Sequence, residues 1–112
     1  MDQLNGYREL LKTTLTKLTE VPYSSFGKIN TEVVFDTERD RYMVVDVGWN
    51  QDERFYNPLA HVDIIDGKIW IQRDGTEESI PVILMEKDVP KEHIVMAYRH
   101  PSDQKLMGFA MA

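Results

Sequence analysis

The segment His61-Val-Asp-Ile-Ile-Asp-Gly-Lys-Ile-Trp-Ile-Gln-Arg-Asp-Gly-Thr-Glu-Glu78 decides the fold of this chain. In it, Asp66-Gly67 separates two runs in which apolar and polar residues alternate. An Asp-Gly pair in this setting predicts a two-residue type I′ turn, because both turn positions require a positive φ. We therefore predict a β-hairpin with strands at 59–65 and 68–74.

The two-residue turn also predicts which residues stand opposite each other in the hairpin. Ile65 should pair with Lys68, Asp63 with Trp70, and His61 with Gln72. One face of the hairpin then carries apolar residues throughout and must face the core: Ala60, Val62, Ile64, Ile69 and Ile71. The other face is polar apart from one large aromatic ring, and it carries His61, Asp63, Lys68, Trp70 and Gln72. Regular pairing should begin after Pro58, which has no backbone N–H to donate.

Residues 2–20 predict an amphipathic helix that packs on this sheet. Its apolar positions recur at helical spacing within one stripe: Leu4, Tyr7, Leu10, Leu11, Leu15 and Leu18. Asp2 is a candidate N-cap, and Pro22 should end the helix, because the residue before a proline disfavours helical geometry.

A second hairpin is predicted from Ile29 to Asp36 and from Arg41 to Trp49, joined by residues 37–40. Asp36 should pair with Arg41 and Phe35 with Tyr42. Both faces of this pair are partly apolar, so we expect cover on both sides, by a helix or by a partner subunit. Asp46 lies among valines and must either face solvent or have a partner.

Shorter elements should follow the central hairpin. A second helix is predicted with Thr76 as N-cap, an acidic first turn, and Pro81 about one turn inside. A single helical turn at 90–93 and a last strand at 94–99 should follow, and the apolar terminus from Met107 should dock on another surface, within the chain or on a partner. The expected fold is a single α+β domain over 1–112. In it, the N-terminal helix packs on an antiparallel sheet of about four to five strands, with a second helix after the central hairpin.

Composition excludes several classes of function. The net charge of −6 argues against broad binding to nucleic acid, which needs clustered Lys and Arg. The chain has no cysteine, hence no disulfide or thiolate metal site, and no apolar run long enough to span a bilayer. A soluble cytoplasmic protein without a cofactor is expected.

Two patterns could carry metal chemistry. His61 and Asp63 share one strand face at a spacing that metal sites use, although polar residues on an exposed face are the simpler interpretation. Asp66-Gly67-Lys68 matches the (Asp/Glu)-x-Lys signature of metal-dependent nucleases, but Asp66 and Gly67 are better explained as the turn itself. We therefore predict no catalytic residue and no metal ligand.

Four blocks of the chain resemble the XisI family. They are residues 35–42 (Phe-Asp-Thr-Glu-Arg-Asp-Arg-Tyr), 45–49 (Val-Asp-Val-Gly-Trp), 61–78 as quoted above, and 89–95 (Val-Pro-Lys-Glu-His-Ile-Val). XisI-like proteins are small cyanobacterial proteins named as controlling factors for excision of the fdxN DNA element, in which a separate site-specific recombinase cuts and joins. They often occur beside a XisH-like protein that resembles an endonuclease. Ser79 and Pro81 depart from the expected pattern, which affects only the start of the second helix.

The resemblance implies a non-enzymatic accessory protein that acts with a XisH-like partner. Two alternatives remain open: a metal-dependent nuclease using Asp63, Asp66 and Lys68, or direct DNA binding around Lys68, Arg73 and Arg99. Trp70 on its polar face is either covered from within the chain or part of an interface, because tryptophan is enriched at contact hot spots. The interface hypothesis predicts a homodimer or a XisH-like partner that binds through Trp70, Asp63, His61, Gln72 and Lys68.

Overall fold

The computed structural model describes residues 3–20 and 28–111. The predicted N-cap Asp2 and the predicted helix terminator Pro22 lie outside these ranges. In chain order the elements are α1 (Gln3–Leu18), β1 (Lys28–Asp36), β2 (Arg41–Asn50), β3 (Glu53–Ile65), β4 (Lys68–Asp74), α2 (Ile80–Glu86), a 3₁₀ turn (Lys91–His93), β5 (Ile94–Met96) and α3 (Pro101–Met107).

The five strands form one sheet in the order β1-β2-β3-β4-β5. The first four pair antiparallel in sequence, whereas β5 pairs parallel to β4. The sheet is therefore mixed, because the connection through α2 brings the chain back to start β5 at the same end as β4. The predicted α+β class, the N-terminal helix on the sheet and the helix after the central hairpin are confirmed.

Both hairpins have the predicted turn registers. Asp36 pairs with Arg41 and Asp63 with Trp70. Asp66 and Gly67 have φ of 53° and 76°, as a type I′ turn requires.

The prediction fails two residues beyond Asp63 in the central hairpin, where His61 pairs with Arg73 and not with Gln72. A β-bulge leaves Gln72 as the extra residue between two pairs, and a turn-based register cannot foresee such an insertion. Within the central hairpin, pairing begins after Pro58, at Ala60 and Asp74, as predicted, whereas β3 itself starts at Glu53 and pairs with β2 from there. A second bulge lies beside Pro58 at Leu59, and bulges are among the places where a sheet tolerates proline.

The core lies between the sheet and the helices. We call the side of the sheet under α1 and α2 the helical face and the other side the open face. Leu11 and Leu15 of α1 are fully buried, as are Ile80 and Leu84 of α2. They join one hydrophobic cluster with the helical face of the strands, which includes Tyr42, Val44, Ala60, Val62, Ile64, Ile69 and Ile71. The predicted apolar partition of the central hairpin is confirmed.

The second helix begins at Ile80 and not near Thr76. Pro81 sits at its first positions, where a missing N–H costs least. The Asp74 carboxylate accepts a hydrogen bond from the Ile80 N–H at 2.9 Å and another from the Thr76 N–H at 3.1 Å. Asp74, the last residue of β4, therefore supplies a hydrogen-bond acceptor for a backbone N–H that has no partner within α2.

The C-terminal part is more helical than predicted. The last strand ends at Met96, and α3 follows, which the sequence analysis missed. Gly108 closes α3 with a φ of 79°, and the Ala110 N–H then donates to the Ile94 carbonyl at 2.9 Å. Phe109 packs against the core, so the predicted docking of the apolar terminus is confirmed. No helix in the described ranges is long and apolar enough to cross a membrane.

Candidate functional site

The residues predicted to bind a partner surround a buried carboxylate. Asp63 of β3 is only 4% exposed, although it lies on the open face. Its Oδ1 lies 2.8 Å from His61 Nε2, and its Oδ2 accepts a hydrogen bond from Gln72 Nε2 at 3.3 Å. Arg41 Nε of β2 lies 3.8 Å from the same Oδ1. Burying a carboxylate is expensive unless it is hydrogen-bonded or paired, and this carboxylate is both.

The interpretation of this face as simply exposed is therefore wrong for Asp63. The bulge explains part of the difference, because bulges re-aim side chains and Gln72 is the extra residue of this one. Arg41 explains the rest: the β2–β3 register places it directly opposite Asp63. Arg41 is not among the predicted site residues, because the pattern within each hairpin does not show how the two hairpins pair. Opposite charge on the same face at the ends of adjacent strands is the signal that could have found it.

Trp70 stands opposite Asp63 and is half-buried. Its indole Nε1 is buried and has no hydrogen-bond partner among the residues that the structure describes. Leaving such a donor unsatisfied costs about 1–3 kcal/mol. Val95 of β5, next to Trp70 in the sheet, is fully buried, so the chain itself covers this end of the open face in part. Trp70 thus presents part of its ring while its N–H points inward.

The residues of the nuclease alternative do not converge. Asp66 lies in the turn and is exposed, and Lys68 begins β4 beside it. Asp63 has its carboxylate occupied by His61 and Gln72. Within residues 3–20 and 28–111, no group of three or more His, Asp or Glu side chains could hold a metal ion.

The residues of the DNA-binding alternative are also dispersed. Lys68 and Arg73 lie near opposite ends of β4, about 16 Å apart at the strand rise of roughly 3.3 Å per residue. Arg73 Nε donates to the Pro58 carbonyl at 2.5 Å, and the Arg99 guanidinium lies 5.4 Å from the centre of the Tyr98 ring. The structure does not bring these three cations into one patch.

A second polar cluster lies on the helical face at the same end of the sheet. Asp40 accepts hydrogen bonds from Arg8 Nε of α1 at 2.8 Å, from Arg8 Nη2 at 3.1 Å and from the Tyr42 hydroxyl at 2.9 Å. The hydrogen bonds from Arg8 hold the pKa of Asp40 below its usual range. Burial, together with the hydrogen bond to Asp40, raises the pKa of Tyr42 to about 12. This cluster fixes α1 to the first hairpin and uses none of the predicted site residues.

A groove of about 850 Å³ runs between α1 and α2. Leucines and one isoleucine supply its apolar lining, and several glutamates and two lysines stand among its remaining residues: Glu9, Leu10, Lys17, Leu18, Leu59, Glu77, Glu78, Ile83, Glu86 and Lys87. None of the predicted site residues lines it.

Comparison with known proteins identifies the relatives of this chain. The family model described as XisI protein matches residues 1–111. A XisI-like protein from Anabaena variabilis has the same fold, with a TM-score of 0.88 and 33% identity over 97% of this chain and 99% of that one. The fdxN element excision controlling factor XisI from Anabaena variabilis superposes with a TM-score of 0.85 and 28% identity, over 99% of this chain and 100% of that one. No curated protein sequence matches.

Proposed function

Because this chain belongs to the XisI family, we propose that it is a non-enzymatic controlling factor for the excision of a DNA element. The observation that carries the proposal is that a protein named as an excision controlling factor shares the fold along nearly the whole of this chain. Because the match extends over the whole domain, the proposed function is assigned to the domain as a whole.

In this proposal the chemistry of DNA cutting and joining belongs to a separate site-specific recombinase. The chain acts through protein contacts, with a XisH-like protein as its partner. The net charge of −6 supports this division, because an acidic domain is repelled by DNA phosphates.

We place the partner contact at the Trp70 end of the open face, with Asp63, His61, Gln72 and Lys68 around the ring. Asp63 holds His61 and Gln72 in fixed positions through its hydrogen bonds, so these neighbours are ordered before a partner arrives. A pre-organised surface loses less side-chain entropy on binding. A tryptophan ring flanked by such polar groups has the make-up of a binding hot spot.

The test is co-purification of the chain with a XisH-like protein. Trp70→Ala should abolish or strongly reduce co-purification while circular dichroism shows an intact fold. Trp49→Ala is the matched control, because it removes the same side chain from the opposite end of the same face, where Trp49 is 51% exposed. Equal retention of the partner by wild type and Trp70→Ala would refute this placement.

The non-enzymatic part of the proposal has its own test. The purified chain with Mg²⁺ or Mn²⁺ should leave supercoiled plasmid intact. Cleavage that disappears in Asp66→Asn would establish the nuclease alternative and overturn the proposal.

A further inference from the structure

The open face of β1–β3 exposes an apolar surface that the rest of the described chain leaves uncovered. Tyr56 is 68% exposed, Val34 53% and Trp49 51%. On the other side of the same strands, Tyr42 and Val44 are fully buried under α1. The apolar residues of the first hairpin are thus buried mainly on the helical face, and on the open face Val45 is buried while Val34 and Trp49 stay exposed. An exposed apolar patch of this kind marks an interaction surface.

The strand registers order this surface into rows across the sheet. Lys28, Trp49 and Arg54 form the first row, at the β2–β3 turn. Asp36, Arg41 and Asp63 form the last row, at the opposite end. Apolar and aromatic residues lie between them, with Val47 and Tyr56 in the second row, Val45 in the middle row, and Val34 and Met43 in the fourth.

Charge is distributed unevenly along these rows. The first row has two cations and no carboxylate, with the Arg54 guanidinium 5.5 Å from the centre of the Trp49 ring. In the last row, Asp63 is 4% exposed and paired with Arg41, so the carboxylate that this row presents is that of Asp36, and Glu32 lies on the same face in the middle row. Along β1 the exposed charge thus changes from positive at Lys28 to negative at Glu32 and Asp36, while the apolar residues lie on all three strands between the end rows. A surface with this pattern is complementary to itself when one copy is turned end over end.

We propose that the open face of β1–β3 binds a second copy of this chain, through a twofold axis that crosses the strands near Val45. This axis sets the first row of each copy against the last row of the other. Lys28 then meets Asp36 of the second copy, and the Trp49 ring meets Arg41. A twofold axis along the strands would instead set Lys28 against Arg54, two like charges. Face-to-face packing of two sheets in this way is the ordinary sandwich arrangement.

The size of the surface sets the expected affinity. Five rows along the strands and three strands across cover about 26 Å by 14 Å, from a strand rise of roughly 3.3 Å and a spacing of about 4.8 Å. Such a face, about 360 Å² on each copy and about 730 Å² in total, is smaller than the roughly 1,200–2,000 Å² that standard specific interfaces bury. A weak, reversible dimer is therefore expected.

The experiment is sedimentation velocity on the purified full chain, from about 5 to about 300 µM. Wild type should convert from monomer to dimer across this range. Tyr56→Ala and Trp49→Ala should each shift the midpoint at least tenfold towards higher concentration, as loss of a hot-spot residue does. Val82→Ala is the control, because Val82 is 46% exposed on α2 and lies outside the patch.

A third variant tests the axis itself. The twofold brings Glu32 of both copies together in the middle row, so Glu32→Gln should strengthen the dimer. A monomeric wild type at all concentrations, or a dimer unaffected by both aromatic variants, would refute the surface. An effect of the aromatic variants together with weakening by Glu32→Gln would refute the axis.

The same samples also test whether this surface binds single-stranded nucleic acid instead. Exposed aromatic rings beside cations also occur in proteins that stack single-stranded nucleic acid. Binding of a labelled oligonucleotide that depends on Tyr56, without any dimer, would overturn the proposal in favour of that ligand. The surface shares Asp63 and His61 with the proposed partner site, but Trp70 lies on β4 outside it, so Trp70→Ala should leave the dimer intact and separates this inference from the proposed function.

Discussion

At the scale of single residues, aspartates with little exposed surface hold elements of the fold together through their hydrogen-bond partners. Asp46 is 1% exposed and accepts a hydrogen bond from the Thr31 hydroxyl at 2.7 Å. Of the two predicted alternatives, solvent exposure or a partner, the second is therefore correct. Asp63 has His61 and Gln72, and Asp40 has Arg8 and Tyr42. Each carboxylate joins elements that are separate in sequence. Removing a partner therefore strands a buried charge, which costs more than the bond itself contributes.

Asp40→Asn should destabilise the domain by about 1–2 kcal/mol at pH 7, because it removes the charge that Arg8 binds with two hydrogen bonds. The pKa of Asp40 is lowered in the folded state, so its stabilisation is present above the ordinary carboxyl pKa near 4. It is lost as pH falls through the lowered pKa of the folded state, because the unfolded chain takes up the proton first. Urea unfolding at pH 7 and at pH 3 should show the wild type and the variant converging at the lower pH.

Asp36→Asn is the matched control. Asp36 also has a lowered pKa, caused chiefly by a hydrogen bond from the Arg39 N–H, but its ion pair with Arg39 is exposed. A smaller loss than for Asp40→Asn is expected. Equal losses for the two variants would contradict the role of the Arg8 pair.

At the scale of elements, α1 and the central hairpin together make the core. The predicted leucine stripe packs against the apolar face of the strands, and the fully buried positions of α1 are Leu11 and Leu15. The strands alone would leave that face in water, and an isolated helix of this length is marginal. Neither element is stable without the other.

Leu11→Ala and Leu15→Ala should each lower the free energy of unfolding by about 2–5 kcal/mol, because each leaves a cavity in a closed core. Thr16→Ala, on the exposed side of the same helix, should change it by less than about 0.5 kcal/mol. Denaturant unfolding of the three variants measures the contrast. Midpoints equal to wild type for both leucine variants would contradict the packing.

Two glycine substitutions, one in the turn of the central hairpin and one in α1, should change the stability of the domain in opposite directions. Gly67→Ala should cost about 1–2 kcal/mol, because a Cβ at a φ of 76° meets the backbone carbonyl. Gly6→Ala should instead stabilise by up to about 1 kcal/mol, because Gly6 lies in α1 with no atom within 4 Å of an added Cβ. Thermal melts of the two variants should move in opposite directions from wild type. A shift of both in the same direction would contradict the backbone assignment.

At the scale of the whole molecule, the two faces of the sheet have different roles. The helical face supplies stability through a single hydrophobic cluster. The open face carries the Trp70 end, where we place the XisH-like partner, and the β1–β3 surface, where we place a second copy. Trp49→Ala should weaken the dimer at least tenfold and leave partner binding unchanged, whereas Trp70→Ala should abolish or strongly reduce partner binding and leave the dimer unchanged.

The sequence by itself determined the local structure. Asp66-Gly67 predicts the turn, the turn predicts the nearest pairs, and the alternation identifies the core face, because all three follow from interactions between residues close in the chain. The tertiary structure alone decided the bulges at Leu59 and Gln72, the parallel entry of β5 and the pairing of Asp63 with Arg41. Each of these depends on how one strand pairs with another strand of the sheet. That pairing is determined by packing between segments distant in sequence, and a local sequence pattern does not describe it.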